Sequence, residues 1–327
     1  MLLSSSPHIV SPVTTRHLMR NMLIALAPVT IFGIVLFGLP ALLNIIVSVA
    51  AAAGAEWAFR RLIKQDIRIK DCSAFVTGLL LALIIPPSTP WWMTALGAIF
   101  AIVVAKEFFG GLGANVFNPA LIGRAFLIMS FPVALTTWHK PVGFAPLNDA
   151  VTTATPLNLI RQGGTLTELG TSIGITSTEA YSSPDYIGII RSLFLGATSG
   201  SIGETSILLI IAGALFLLLT KTITWHTPAA FIVTAFIMSF ALGMDPLISI
   251  LSGGLIFGAV FMATDYVSAP LTTKGKLLFG LGAGIITVLI RKWGAFPEGV
   301  TYSILIMNAA TPFLNRLLPQ KYGHVKR

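Results

Sequence analysis

Long apolar runs constrain this chain most strongly, because each is close to the length that crosses a membrane as a helix. Ten such segments stand out, at about residues 21–37, 41–59, 73–86, 91–109, 119–135, 205–220, 227–243, 246–263, 276–291 and 299–316. A transmembrane helix needs ~17–25 residues to span ~30 Å of hydrocarbon, and no alternating ten-residue pattern typical of a membrane β-barrel is present. The sequence therefore predicts an all-α integral membrane protein with about ten transmembrane helices.

The scarcity of charged residues supports this fold class. Only 10% of the 327 residues are charged, whereas soluble domains have roughly 25%, and the mean hydropathy is +0.86. The net charge of +9 does not indicate a nucleic-acid partner, because the basic residues stand between apolar runs, where membrane topology accounts for them. We expect membrane lipid, and no nucleic acid, around this chain.

Motifs for metals, iron–sulfur clusters and nucleotides are missing from the sequence. Cys72 is the single cysteine, which excludes an intrachain disulfide and a cysteine-built iron–sulfur site. The five histidines show no metal-ligand spacing, and no P-loop or dinucleotide-binding Gly motif follows a strand. We expect no metal site, no catalytic side chain, and no NADH oxidation or ATP use within this chain.

The distribution of Lys and Arg predicts the membrane topology. Of the 21 basic residues, 16 fall on the side of the N-terminus and five on the other side. The positive-inside rule then places both termini in the cytoplasm and a long loop outside. Three regions result: residues 1–135 with the first five helices, 136–204 as an extracytoplasmic loop, and 205–327 with five more helices and a cytoplasmic tail.

The two helical regions resemble one another. In each, a Pro precedes an apolar helix that ends in a charge and is followed by a polar turn with Pro: Pro90 to Glu107 with Asn115 to Pro119, and Pro246 to Asp265 with Ser268 to Pro270. Five crossings per unit reverse the second unit, which predicts an inverted repeat with a site between the repeats near mid-membrane. Chance similarity among Gly-rich membrane helices is the alternative.

The third apolar segment stops early, at Pro86-Pro87. Such a short segment predicts a helix that does not cross fully, or one that pairs with irregular backbone. Backbone of this kind is tolerated in a membrane only where protein or a cavity covers its polar groups.

The stretch Asp149-Ala-Val-Thr-Thr-Ala-Thr-Pro-Leu157 is hydroxyl-rich and lies between two apolar regions. Asp149, Thr152, Thr153 and Thr155 are consistent with an Asx or Ser/Thr turn that ends at Pro156. The alternative is that one hydroxyl carries a phosphoester-linked cofactor, whose phosphate oxygens accept hydrogen bonds from neighbouring hydroxyl and N–H groups.

Charged and amide side chains near the helix ends have two interpretations. Lys106, Glu107 and Asp265 each follow an apolar run, so they either terminate helices at the interface or belong to a site, including an ion-coupling site. Lys106 and Glu107 do not face one another on a helix, so each needs its own partner. Asn115 and Asn118 lie in a Gly-rich turn suited to an aromatic ring with polar edges, or simply to a helix crossing.

Six sequence blocks occur in an order that matches a known family. They are Lys106-Glu-Phe-Phe-Gly-Gly111, Asn118-Pro-Ala with Gly123-Arg-Ala-Phe, Gly200-Ser-Ile-Gly-Glu-Thr-Ser206, Phe261 to Pro270, Lys274-Gly-Lys276 and Pro297-Glu-Gly-Val300. This order resembles the family that comprises the D subunits of Rnf complexes and the B subunits of the sodium-pumping NADH:quinone oxidoreductase. The short N-terminal region is more similar to the Rnf subunits.

The resemblance implies both a fold and cofactors. The fold would be urea-transporter-like, with ten helices in two inverted five-helix repeats. The Asp149 to Thr155 stretch resembles the family's flavin-attachment pattern, which implies FMN esterified through its phosphate to Thr155, although Thr153 stands where the family usually has Gly. Asn115, Asn118 and Asp265 fall at positions that resemble the surroundings of a second, non-covalent flavin, such as riboflavin, in the homologous subunit.

The implied function is that of a flavin-carrying membrane subunit. Its complex would couple electron transfer between ferredoxin and NAD⁺ to Na⁺ or H⁺ translocation across the bacterial cytoplasmic membrane, with other membrane and peripheral subunits and a flavin transferase as partners. Such a chain belongs to the translocase class of oxidoreductases without being a complete enzyme. A sodium-pumping B-like subunit, a small-solute channel or transporter, and a structural anchor remain as alternatives.

A second threonine, Thr198, is also a candidate for flavin attachment. Leu195-Gly-Ala-Thr198 is locally closer to the Ser-Gly-Ala-Thr pattern of the family than the residues before Thr155 are. Thr198 immediately precedes the Gly200 block, however, which follows the flavin site in the family, and it has no Asp six positions upstream. Thr155 is therefore the expected attachment residue.

Overall fold

The structure, a computed structural model, describes residues 14–139, 157, 186–196, 199–294 and 299–317. The helices within these ranges are α1 Thr15–Leu62, α2 Ser73–Ile84, α3 Trp91–Ile102, α4 Pro119–Ser130, α5 Pro132–Thr136, α6 Tyr186–Leu195, α7 Ile207–Leu219, α8 His226–Ala241, α9 Pro246–Leu251, α10 Leu255–Phe257, α11 Thr273–Trp293 and α12 Val300–Leu317. The predicted all-α class is confirmed for this part of the chain.

The first two predicted segments form one helical run with a kink. Helix α1 has 48 residues, and Gly38 within it has non-helical backbone angles of φ 67° and ψ −146°. Pro40 follows two positions later and cannot donate a backbone hydrogen bond, which favours the break at this point. By length and composition, α1 and α11 are able to cross a membrane, and the other apolar helices described are shorter.

Helix α2 ends before the double proline and pairs with irregular backbone, as the sequence predicted. The Gly203 N–H donates to the Leu83 carbonyl over 2.6 Å. The Asn44 amide donates to the Pro87 carbonyl over 2.9 Å, and it also donates to the Thr89 carbonyl. The carbonyls freed by the helix break are thus satisfied by other parts of the protein, which is what a membrane interior requires.

Two π-helical turns extend the helices that precede the polar turns. Helix α3 continues as a π-helix over Val103–Glu107, and α10 continues as a π-helix over Gly258–Met262. Single π-turns are rare and occur often at functional sites. The two stretches of sequence that resemble one another therefore share this local distortion.

Two of the predicted segments each form two helices, although the sequence is apolar throughout each segment. Segment 119–135 breaks between α4 and α5, where Pro132 occupies the first turn of the second helix. Segment 246–263 breaks between α9 and α10 at Gly253 and Gly254, whose φ angles are 69° and 62°. Glycine adopts this left-handed conformation without a steric penalty, so the sequence allows a sharp break there.

Helices α8 and α11 pack closely through glycines. A Cβ atom at Gly280 would lie 2.6 Å from the Thr227 carbonyl oxygen, and one at Gly284 would lie 2.9 Å from the Phe231 carbonyl oxygen. Such a Gly-x-x-x-Gly pair lets two helix backbones approach, as is common between helices in membranes.

Arg291, near the end of α11, holds the break between α9 and α10. Its guanidinium donates to the carbonyls of Ser249, Ser252 and Gly253, the last over 2.9 Å, and the side chain is buried. At the other end of α9, Asp245 caps the helix by accepting from the Ile248 N–H. The short helix α9 is therefore fixed at both ends.

Helix α6 lies within the predicted 136–204 loop and was not predicted. Its buried residues Ile189 and Leu193 pack against Ile248 of α9. The Tyr186 hydroxyl donates to the Asp245 carboxylate over 2.9 Å. The end of the loop is thereby attached to α9, while most of the loop lies outside the described residues.

Candidate functional site

One cavity brings together residues from both resembling stretches. About 70 Å³ of it is accessible to a water molecule, within a larger opening of about 690 Å³ that includes open solvent. Of the predicted site residues, Lys106, Asn115, Asn118 and Asp265 line it. Its other walls come from α1, α2, the turn after α7, and the second π-helix: Leu18, Met19, Met22, Ser73, Val76, Thr77, Leu80, Leu112, Pro119, Thr222, Ile223, Phe261, Thr264 and Tyr266. Glu107 is not among the lining residues.

Asn118 connects the two stretches. Its side-chain oxygen accepts from the Ala120 N–H over 3.0 Å, which makes Asn118 the N-cap of α4. Its amide donates to the carbonyl of Met262, the last residue of the second π-helix, over 3.3 Å. Pro119 occupies the first position of α4, where its missing N–H is not needed. The Asn-Pro pair therefore begins a helix and holds the two cavity walls together.

Asn115 leaves one polar atom unsatisfied. Its amide donates to the Phe117 carbonyl over 3.1 Å, whereas its side-chain oxygen is buried and accepts no hydrogen bond from the described residues. A buried acceptor without a partner is costly. This atom therefore offers an acceptor to a ligand that enters the cavity.

Asp265 follows the second π-helix and is held by its own turn. Its carboxylate accepts from the Ser268 hydroxyl over 2.9 Å and from the Val267 N–H over 3.4 Å. The Ser268 carbonyl in turn accepts from Thr311 of α12 over 3.0 Å. These contacts fix the position of the carboxylate at the cavity wall.

Lys106 and Glu107 belong to a buried ionic cluster. Lys106 Nζ lies 2.6 Å from Glu56 Oε2 and donates to Ser73 Oγ over 2.7 Å. Arg60 Nε lies 3.1 Å from Glu107 Oε2 and 3.9 Å from Glu56 Oε1. Each adjacent charge has its own partner, as the helix geometry predicted. Both side chains are buried, so neither ends its helix by exposure to water.

Glu56, Arg60 and Ser73 are the members of this cluster that sequence reasoning missed. Glu56 is fully buried, and Arg60 is 2% exposed. The available signal was an acidic residue with Arg four positions later, at the end of an apolar segment, a spacing that puts both on one helix face. Gly111 makes room for the cluster, since a Cβ atom there would overlap the Arg60 guanidinium.

The cavity combines apolar walls with a few fixed polar groups. Leu80, Leu112 and Phe261 offer apolar contact, and Asn115, Asn118 and Asp265 offer acceptors and donors at defined places. Small-molecule sites commonly have this composition. By their chemistry, these residues suit an aromatic ring with polar edges, such as isoalloxazine.

The predicted attachment region lies outside the described residues, apart from its last residue. Asp149, Thr152, Thr153 and Thr155 fall there, as does Thr198. Leu157 is described and is 7% exposed. A Cβ atom at Gly253 would lie 2.8 Å from Leu157 Cδ2, so this leucine packs on the glycine break between α9 and α10.

Comparison with known proteins shows relatives along nearly the whole chain. The model of the NQR2, RnfD, RnfE family matches residues 2–323. The D subunit of the proton-translocating ferredoxin:NAD⁺ oxidoreductase complex of Clostridium ljungdahlii is 43% identical, covering 98% of this chain and 96% of the relative. The D subunit of the Na⁺-translocating ferredoxin:NAD⁺ oxidoreductase complex of Acetobacterium woodii is 40% identical, covering 100% and 96%.

A third relative has a more general name. The D subunit of the ion-translocating oxidoreductase complex of Stutzerimonas stutzeri is 37% identical, covering 95% of this chain and 93% of the relative. Both the family match and the near-complete coverage lead to the same conclusion: the chain belongs to the NQR2, RnfD, RnfE family.

Proposed function

We propose that this chain is the D subunit of an Rnf-type complex in a bacterial cytoplasmic membrane. The complex couples electron transfer between ferredoxin and NAD⁺ to the translocation of Na⁺ or H⁺. The observation that carries this proposal is the similarity, from end to end, to relatives named as the D subunits of such complexes. The chain is one subunit of a translocase-type oxidoreductase and works together with membrane and peripheral partner subunits.

Thr155 is the proposed attachment residue for FMN, through a phosphoester made by a flavin transferase. Its sequence context supports this assignment, with Asp149, Thr152 and Thr153 as neighbours of the flavin loop. When bound, the flavin supplies the electron-transfer chemistry, while the protein sets its position and electrostatic surroundings.

The cavity beside Lys106 is the proposed site of a second, non-covalent flavin, such as riboflavin. Support comes from Asn115, Asn118 and Asp265, which lie in separate turns and line one cavity. The unsatisfied oxygen of Asn115 offers an acceptor for a ring N–H group.

The proposed architecture is an inverted repeat of five membrane helices in each half. Two shared features support it: the Pro-initiated stretches, and the π-turns Val103–Glu107 and Gly258–Met262 within them. Each π-turn contributes a residue to the cavity, Lys106 from the first and Phe261 from the second. The site then lies between the repeats. In this topology both termini are cytoplasmic, and the flavin loop lies on the outer side.

Lys106, Glu107 and Asp265 are the proposed ion-coupling residues. Lys106 and Asp265 line the cavity, and Glu107 reaches Lys106 indirectly through Arg60 and Glu56. If a flavin were held in this cavity, any change in its charge on reduction would act on Lys106 and, through Glu56 and Arg60, on Glu107. Access of the translocated ion then depends on the redox state.

The proposed function is tested by comparing the complex purified with this chain and the complex purified without it. Vesicles with the whole complex should reduce NAD⁺ with reduced ferredoxin and take up Na⁺ or H⁺, and this chain should show flavin absorbance. Loss of both activities without the chain, together with a flavin-bearing band at its mass, is the predicted result. A colourless chain that still assembles its partners would indicate an anchor, and solute flux through the isolated chain would indicate a channel.

A further inference from the structure

An apolar groove runs along the second half of α1 and is open along one side. Its walls are Ala51, Gly54, Ala55, Ala58, Phe59 and Leu62 of α1, Ile99 of α3 and Val103 of the first π-turn. About 540 Å³ of it is accessible to a group the size of a water molecule. None of these wall residues lines the flavin cavity, so the groove is a separate feature of the structure.

The groove has the length of about one leaflet of a membrane. Ala51 and Leu62 are its end residues on α1, and the helix rises about 16 Å between them. The hydrocarbon core of a bilayer is ~30 Å thick. One turn further from Leu62, the described residues Val47 of α1 and Leu96 of α3 do not belong to the walls. These dimensions suit an acyl chain from one leaflet better than a transmembrane helix, which crosses both leaflets.

Arg61 stands at the end of the groove nearest the membrane surface. It follows Gly54 by seven positions, so the two residues lie on one face of α1, two turns apart. The Arg61 guanidinium lies 5.3 Å from the ring centre of Trp57, and both side chains are exposed. Tryptophan prefers the membrane–water interface. The Trp57–Arg61 turn therefore lies at the level of lipid headgroups, while the groove extends from it into the hydrocarbon.

No carboxylate of the described residues forms an ion pair with Arg61. Its neighbour Arg60 is buried and donates to Glu107 Oε1 over 3.3 Å, so the two adjacent arginines have different surroundings. A guanidinium over the face of a ring keeps N–H groups in its own plane for other acceptors. Such a group binds phosphate oxygens through paired hydrogen bonds.

We infer that the groove binds an anionic phospholipid, with one acyl chain along the groove and the headgroup phosphate on Arg61. Charge complementarity decides the class of lipid. Arg61, Lys64 and Arg68 are all exposed at this end of α1, and basic residues at a membrane surface attract anionic lipids. The assignment to the cytoplasmic leaflet rests on the proposed topology, whereas the site itself rests on the groove and on Arg61.

Two variants with matched controls separate the charge from the apolar contact. Arg61→Gln removes the positive charge, and Arg68→Gln is its control at an exposed position outside the walls. Gly54→Leu fills the groove. A Cβ atom at Gly54 would have no atom of the described residues within 4 Å beyond its chain neighbours and its own helix backbone. Ala50→Leu is the control for size, because Ala50 is exposed on α1 outside the walls.

The test uses phosphatidylglycerol with a photoreactive group in its acyl chain, reconstituted with the purified complex. Peptide mass spectrometry gives the cross-link yield on residues 51–59 as a fraction of the yield on the whole chain. In the native complex this fraction should be about fivefold higher than with a matched phosphatidylcholine probe, the effect of one basic residue at a membrane surface. Arg61→Gln should remove this preference. Arg68→Gln and Ala50→Leu should keep it, and Gly54→Leu should abolish labelling by both probes.

Three results would overturn the inference. One is equal labelling of the groove by both probes in the native complex, and another is an unchanged preference in Arg61→Gln. The third is protection of residues 51–59 from both probes while the rest of the chain is labelled, which would show that a partner helix covers the groove. If Gly54→Leu does not assemble, Arg61→Gln still decides. These yields require no electron transfer, so their failure is distinguishable from a failure of the proposed function.

Discussion

Lys106 Nζ lies 2.6 Å from Glu56 Oε2, and neither side chain is more than 1% exposed. The pair joins α1 to the first π-turn and lies against Ser73 of α2. Two charges buried this deeply must compensate one another, since removal of either leaves the other without water and without its counter-charge. The contact therefore ties three elements together at one wall of the proposed flavin cavity.

Glu56→Gln should strongly destabilise the protein. The substitution leaves Lys106 charged and buried, at an expected cost of about 3–5 kcal/mol. Thermal unfolding of the purified complex checks this, with Asp66→Asn at an exposed position as control. The double variant Glu56→Gln with Lys106→Met should recover part of the loss, and strictly additive losses would show that the pair is not coupled.

Gly280→Ala should weaken the packing of α8 on α11. The new methyl group meets the backbone of Thr227, which cannot move aside as a side chain can, so a loss of about 1–3 kcal/mol is expected. Gly54→Ala is the matched control, because a Cβ atom there would have no atom of the described residues within 4 Å beyond its chain neighbours and its own helix backbone. Chemical denaturation gives the free energy of unfolding of both variants and checks this expectation. Equal stability of the two would mean that the α8–α11 contact is looser than the structure shows.

Asn118→Ala should release the non-covalent flavin. It removes the cap of α4 and also the bond to the Met262 carbonyl, which joins the two cavity walls. Loss of that one bond between the walls should lower retention of the ring by about threefold to tenfold. Flavin extracted per complex after denaturation is the readout. Thr272→Ala loses a comparable cap, at the start of α11 and outside the cavity lining. A similar release from that control would assign the effect to general destabilisation.

Asp265→Asn and Glu107→Gln test the coupling residues. Each removes a negative charge from the cavity or from its ionic cluster while keeping the shape of the side chain. We expect electron transfer to continue while fewer ions are taken up per electron in sealed vesicles. Simultaneous recording of NAD⁺ reduction and of Na⁺ or H⁺ uptake gives that ratio. If both electron transfer and ion uptake are unchanged, neither carboxylate takes part in coupling.

Hydropathy located the helices well, because apolar length is a local property of the sequence. It did not locate the break at Gly253 and Gly254, since the surrounding residues stay apolar and the break depends on their φ angles and on Arg291 from a distant helix. Helix α6 was missed because it lies inside a long segment of mixed polarity. Its docking is fixed by Tyr186 and Asp245, which are far apart in sequence.

The candidate site was only partly predictable. Asn115, Asn118 and Asp265 were selected by resemblance, and the fold places them around one cavity. Glu56 was missed because a single acid near the end of an apolar segment has the pattern of an interfacial charge. Only the tertiary fold shows that it is fully buried against Lys106.

Intact-protein and peptide mass spectrometry test the proposal that this chain carries FMN on Thr155. The chain is expressed with its flavin transferase as the native sequence, Thr155→Val and Thr198→Val. Attachment at Thr155 predicts an FMN-sized adduct on the native chain and on Thr198→Val, and the loss of this adduct from Thr155→Val. An adduct lost only from Thr198→Val, or none on the native chain while the transferase modifies a control protein, would contradict it.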